Sequence, residues 1–184
     1  MYYIGIDLGG TNIAAAVVNE RFEILGRGKY KTRCPRPAEE IADDMAAASR
    51  DALKEAGVDI SEVKWVGVGT PGCANPVTGE IEFANNLQFH HVQMGQMITQ
   101  RLGRPCYVEN DANAAAYGEL LAGAGVGCKD MIAVTLGTGV GGGIIIDGKV
   151  YHGYNFYGAE LGHVVIVFDG EPCTCGRRGC WEAY

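Results

Sequence analysis

Two glycine-rich stretches, one acidic strand end and one cysteine cluster carry most of the chemistry available to this 184-residue chain. Asp7-Leu8-Gly9-Gly10-Thr11-Asn12 stands between two apolar runs. Two adjacent glycines leave backbone N–H groups uncovered at a hairpin tip, where no side chain blocks an anion. Thr11 adds a hydroxyl, and Asp7 could hold Mg²⁺ directly or through water. The same residues also suit an ordinary glycine turn with an Asp cap. Leu136-Gly137-Thr138-Gly139-Val140-Gly141-Gly142-Gly143 contains G-x-G-x-x-G at Gly137, Gly139 and Gly142. A dinucleotide-binding loop of that pattern runs from a strand into a helix. Here Ile144-Ile145-Ile146 follows, and β-branched residues favour another strand. The stretch therefore reads as a second phosphate-cradling hairpin, built like the first. The plainer alternative is a sharp hairpin with glycines at positive φ.

Asp111 follows Glu109-Asn110 and precedes an alanine-rich run, so it sits where a strand ends and a helix begins. As an N-cap it would satisfy the first N–H groups of that helix. A carboxylate at the C-terminal edge of a strand is also where ligands meet open α/β sheets. There it could accept a proton from a substrate hydroxyl while Asn110 hydrogen-bonds the substrate. His163 lies ten residues before Cys173, and Cys173, Cys175 and Cys180 are spaced C-x-C-x₄-C. Four such donors with no open position suit a structural, tetrahedral Zn²⁺. Gly176 and Gly179 permit a tight knuckle. A disulfide would leave one of the three cysteines over and needs an oxidising compartment. The zinc would fix the loop that carries Glu160 and His163.

The composition behind these stretches is that of a folded domain: 47% apolar, 20% charged, net charge −7. No basic stripe exists to follow a nucleic-acid backbone, so no nucleic-acid partner is expected. No run of apolar residues is long enough to span a membrane, and the N-terminal residues lack the pattern of a signal peptide. Seven cysteines, an odd number, point to a reducing, cytoplasmic setting. Glycine is the outlier at 28 of 184 residues, about twice the usual ~7%.

The elements that must position these groups follow from periodicity. Tyr2–Leu8, Ile13–Val18 and Phe22–Tyr30 read as an antiparallel meander. Ala38–Ala56 has apolar residues at helical spacing and ends at Gly57, a natural C-cap. Val63–Val68 reads as a buried strand running into Gly69-Thr70-Pro71-Gly72, Val92–Leu102 as a helix and Cys106–Val108 as a strand. Ala112–Ala122 is a helix followed by a hinge-like Gly123–Gly127. Met131–Leu136, Gly143–Ile146 and Val164–Phe168 are further strands. Strands that are first antiparallel and then alternate with helices give an α/β class.

With these four motifs in order, the chain resembles the ROK family of sugar kinases and repressors, within the actin/hexokinase/Hsp70-like superfamily. Gly158-Ala159-Glu160-Leu161-Gly162-His163 adds to the likeness. Asn85-Asn86-Leu87-Gln88-Phe89 and Cys180-Trp181-Glu182-Ala183-Tyr184 bring it nearest the bacterial glucokinases of that family. The resemblance implies a two-lobed, ribonuclease H-like α/β fold. Residues 1–122 would form the small lobe, and residues 123–184 the start of a larger lobe that continues beyond this chain. It also implies transfer of phosphate from ATP to a hexose 6-hydroxyl, glucose first among the sugars. Asp111 would be the general base. Gly72, Asn86 (or Asn85), Asn110, Asp111, Glu160, His163 and Glu182 would hold the sugar. Gly9, Gly10, Thr11, Gly137, Thr138 and Gly139 would line the ATP phosphates, with Asp7 near Mg²⁺. His163, Cys173, Cys175 and Cys180 would bind structural Zn²⁺, and the assembled protein would be a dimer or tetramer. Other hexose or N-acetylhexosamine kinases remain open, as does a non-catalytic sugar-sensing or sugar-binding role.

Overall fold

In the computed structural model, which describes residues 1–137 and 139–184, the chain divides into two units, Met1–Asp111 and Ala112–Tyr184. The expected lobe boundary follows Ala122, whereas residues 112–122 group here with the second unit. The first unit is built on a five-stranded sheet. Strand β1 (Tyr2–Leu8) alternates strictly: Ile4, Ile6 and Leu8 are buried, while Gly5 and Asp7 face outward. Strand β2 (Asn12–Asn19) pairs antiparallel with β1 and with β3 (Ile24–Lys31). On its other edge β1 pairs in parallel with β4 (Val63–Thr70), and β4 with β8 (Cys106–Asn110). The strand order is β3-β2-β1-β4-β8.

Helix α1 (Ala38–Ala56) lies on the buried face through Ile41, Met45, Ala48, Ala52 and Leu53. It comes so close to β3 that a Cβ at Gly28 would stand 2.0 Å from the Ala48 carbonyl oxygen. Gly57, at φ 65°, ends the helix by donating to the last carbonyls, as expected of a C-cap glycine. A small antiparallel sheet of β5 (Cys73–Asn75), β6 (Glu80–Ala84) and β7 (Phe89–Val92) follows β4. Val92 was expected to open a helix. It ends β7 instead, because Ile81 of β6 pairs with it, and α2 (Met94–Leu102) begins two residues later.

In the second unit, α3 (Asp111–Ala122) packs on a hairpin of β9 (Met131–Leu136) and β10 (Val140–Ile146). Its neighbours on β10 are glycines: a Cβ at Gly143 would lie 2.4 Å from that of Ala116. The short β11 (Lys149–Val150) completes this sheet. Gly123 and Gly125 fold against the end of α3, both donating to the Glu119 carbonyl.

The expected strand at Val164–Phe168 is not formed. Its residues have the propensity for one, but only Val165 makes a β-bridge, to Cys180, and all five side chains are exposed. The Ile166 and Val167 amides both donate to the Gly179 carbonyl, so the segment wraps the cysteine loop instead of joining a ladder. Among the described residues no helix is long and apolar enough to cross a membrane.

Candidate active site

The parallel pairing of β1, β4 and β8 gathers the first group of candidate residues. Asp7 is in register with Gly69, Gly69 with Glu109, and Thr70 with Asn110. Asp7, the Thr70–Gly72 turn and Asn110–Asp111 therefore share the C-terminal edge of one sheet, the edge at which α/β sheets receive ligands. Gly72 has a structural reason to be glycine. It sits at φ 83°, and a Cβ there would lie 2.1 Å from the Phe83 carbonyl oxygen. Its own carbonyl accepts from Asn110 Nδ2 at 3.0 Å, which ties the turn to the end of β8. The Asn110 amide in turn donates to Glu109 Oε1 at 2.9 Å. Asp111 opens α3, so its carboxylate stands in the first turn, where the helix dipole favours negative charge.

The hairpin Asp7–Asn12 closes through Gly9 N–H to the Asn12 carbonyl at 2.9 Å. Asn86, exposed in the single turn Asn85–Leu87, comes up beside it: a Cβ at Gly10 would be 3.4 Å from that of Asn86. Desolvation by its surroundings at the strand end raises the Asp7 carboxyl above its ordinary pKa, although the side chain is on the outward face of β1.

Sequence reasoning missed what holds this hairpin in place. Thr32 is fully buried; its Oγ1 donates to the Gly9 carbonyl at 2.6 Å and its amide to the Thr11 carbonyl at 3.0 Å. Arg36 Nε donates to the Thr32 carbonyl at 2.7 Å, and its guanidinium pairs with Asp44 of α1. The only sequence signal was a threonine just past the end of β3. Thr32→Val keeps the shape but leaves the Gly9 carbonyl without that donor. It is expected to cost about 1–3 kcal/mol, read by denaturant unfolding, whereas Thr32→Ser should recover most of the loss.

The second unit holds the other group. Gly137 and Gly139 lie at the turn between β9 and β10, with the Gly137 amide donating to the Gly139 carbonyl at 3.0 Å. Strand follows strand there, as expected from the isoleucines, and no helix begins. Thr138, expected to line phosphates, lies outside the described residues. Glu160 precedes a single turn, Leu161–His163, which is held to β10 at Gly162: a Cβ there would be 2.1 Å from the Val140 carbonyl oxygen. Glu182 lies in the turn Trp181–Ala183 and accepts the Val140 amide at 3.0 Å.

His163, Cys173, Cys175 and Cys180 converge as expected. Their ligand atoms all lie within 4.8 Å of one another. His163 Nδ1 is 3.7 Å from Cys173 Sγ, and Cys175 Sγ is 3.6 Å from Cys180 Sγ. Zn–S bonds of about 2.3 Å and Zn–N bonds of about 2.0–2.1 Å give a tetrahedron edges of about 3.6–3.8 Å, which these two separations match. The thiols are unequal. Hydrogen bonds from the Arg177 backbone and side chain hold Cys175 down to about 6, while burial and neighbouring sulfurs push Cys180 up to about 11. A bound cation would stabilise all three as thiolates. Elsewhere, burial pushes the Cys106 thiol up to about 12, which makes it a poor nucleophile.

Comparison with known proteins agrees over nearly the whole chain. A family model described as the ROK family matches residues 3–184. The glucokinase of Streptomyces coelicolor is 44% identical over 181 residues, covering 98% of this chain and 55% of that protein. The crystal structure of a ROK family glucokinase from Streptomyces griseus, in complex with glucose and AMPPNP, superposes with a TM-score of 0.87 at 46% identity. It covers 100% of this chain and 57% of that one. A xylose repressor from Caldicellulosiruptor bescii is further off, 30% identical over 181 residues, 98% of this chain and 45% of the repressor. The chain spans about half the length of the curated relatives it matches.

Proposed function

The chain belongs to the ROK family, with the mixed α/β, actin/hexokinase-like fold of its solved kinases, and from that membership we propose that it forms part of an ATP-dependent hexose kinase, a glucokinase first of all. The observation that carries this reading is the 46% identity, over the full chain, to a glucokinase crystallised with glucose and AMPPNP. The shared strand edge of Asp7, Gly72, Asn110 and Asp111 supports it from the geometry.

In this reading Asp111 accepts the proton of the sugar 6-hydroxyl as that oxygen attacks the γ-phosphorus. The P–O bond to the β-phosphate breaks, and ADP leaves. Asn110, anchored on Gly72, and Asn86 orient the sugar, with Gly72, Glu160, His163 and Glu182 as further contacts. His163 turns Nδ1 to the sulfur cluster and keeps Nε2 for a sugar hydroxyl. The backbone amides of Gly9, Gly10, Gly137 and Gly139, with the hydroxyls of Thr11 and Thr138, take the phosphates of ATP. Mg²⁺ near Asp7 would neutralise phosphate charge that a protein of net charge −7 does not otherwise offset. Cys173, Cys175, Cys180 and His163 would hold Zn²⁺, which supplies a crosslink. The reading also includes a cytoplasmic protein that assembles as a dimer or tetramer and does not bind nucleic acid.

A second reading is sugar binding without transfer, favoured by the likeness to a xylose repressor. The test is ADP release with Mg-ATP over a panel of hexoses and N-acetylhexosamines, for this chain and for a form extended to the length of its relatives. The kinase reading expects release above the sugar-free rate in the extended form, greatest with glucose. Absence of release with every sugar sinks it. Binding of a sugar without release favours the second reading.

A further inference from the structure

Beyond Gly137, the glycines of the second hairpin each make room for a different neighbour. A Cβ at Gly141 would lie 2.5 Å from Thr135 Oγ1, and one at Gly142 would lie 2.6 Å from the Leu161 side chain. At Gly137 nothing among the described residues stands within 4 Å. Gly139 differs: a Cβ there would be 2.1 Å from Glu182 Oε2. That same oxygen accepts the Val140 amide at 3.0 Å. Val140 opens β10 and pairs with Leu136, so the carboxylate stands in the mouth of the hairpin. An anion beside a loop that receives phosphates is electrostatically costly. Its presence there calls for a positional reason.

The surroundings supply one. Glu182 comes two residues after Cys180, and the adjacent Trp181 amide donates to the Val164 carbonyl at 2.9 Å. On the other side, Gly162 of the His163 turn is packed against the Val140 carbonyl. The two turns that flank Val140 thus each carry a member of the Cys₃His cluster or its immediate neighbour. The hairpin mouth and the cysteine knuckle form one tied block.

We propose that Glu182 is a positioning residue for the phosphate donor: its carboxylate holds the mouth of the hairpin at Val140 and so couples donor binding to the Cys₃His knuckle. This rests on the kinase reading, but assigns Glu182 a task on the nucleotide side beyond contact with the sugar. A hydrogen bond to a charged group is worth enough to shift an equilibrium by about tenfold or more.

The test compares the wild type with Glu182→Ala and Glu182→Gln in the extended protein, by hydrogen exchange at the Val140 amide and by titration with Mg-AMPPNP in the absence of sugar. In Glu182→Ala, Val140 should exchange about tenfold or more faster and the nucleotide Kd should rise about tenfold. Glu182→Gln, whose side-chain carbonyl still accepts, should rescue both while any sugar contact through the charge is lost. Unchanged Val140 exchange in Glu182→Ala, or equal nucleotide affinity in all three proteins, overturns the proposal and leaves the kinase reading standing. A wild-type protein that binds no nucleotide removes the kinase reading itself, and the proposal with it.

Discussion

Asp111→Asn is expected to lower turnover of glucose by about 10²–10⁴-fold, the usual contribution of a positioned general base, while glucose affinity changes little. Asn is nearly isosteric with Asp and retains one carbonyl oxygen to orient the sugar hydroxyl. It cannot take up a proton. The substitution also separates the two roles open to this residue. A carboxylate in the first turn of α3 helps the helix through its charge, by about 0.3–1 kcal/mol, and Asn serves almost as well as Asp at a helix start. A purely structural Asp111 would therefore leave kcat and Tm nearly unchanged. A general base leaves Tm nearly unchanged and removes kcat. Steady-state kinetics with glucose and Mg-ATP, alongside thermal melts, distinguishes the two. Retention of most of the activity would show that Asp111 is not the base.

Metal removal is the second large expected effect. Among residues 151–184 Cys180 is the only buried residue other than glycines 162 and 179, so no apolar core holds this stretch together. Its order comes from hydrogen bonds, from the contacts of Leu161, Gly162 and Glu182 with β10, and from the Cys₃His set. A structural metal then contributes folding free energy directly. The protein as purified is expected to carry one zinc per chain. A strong chelator, or Cys180→Ser, should expose the region after Tyr151 to proteolysis. The sheet and helix of Met1–Asp111, with their own buried core of Ile4, Leu8, Ile13, Ile41 and Met45, should keep their cleavage resistance. Mass spectrometry of limited digests reads both at once. A protein without zinc, or digests identical before and after chelation, would remove the structural-metal assignment.

Much of this was legible in the chain because the signals were local. Ala38–Ala56 was framed by its periodicity and by Gly57, and the structure reproduces both ends. The cluster at His163, Cys173, Cys175 and Cys180 was legible because groups able to hold a metal within one loop announce themselves by spacing. The second glycine stretch was separated from a dinucleotide loop by the isoleucines that follow it, which do form β10. What could not be read depends on partners distant in sequence. Val164–Phe168 has the side chains of a strand, yet strand propensity expresses itself only where a neighbouring strand offers a ladder. β7 was hidden because its pairing partner, β6, is recognisable only once the turn between them is known. The Thr32–Arg36–Asp44 chain under the first hairpin joins the residue after β3, a loop and α1, and no spacing rule predicts it. The glycine excess also looks different in the structure. At Gly28, Gly72, Gly142 and Gly143 the missing Cβ admits a neighbouring backbone or side chain, so these residues serve packing and not flexibility.

The most direct test of the account is a ³¹P NMR time course of ATP, Mg²⁺ and glucose with the form of the protein extended to the length of its relatives. Transfer to the 6-hydroxyl predicts that the γ-phosphate signal of ATP is replaced, one for one, by that of glucose 6-phosphate, while the β-phosphate signal of ATP gives way to that of ADP. Free inorganic phosphate should stay at its background level, because a site that positions the sugar hydroxyl also excludes water as acceptor. ATP left intact, or phosphate released without sugar phosphate, would contradict it.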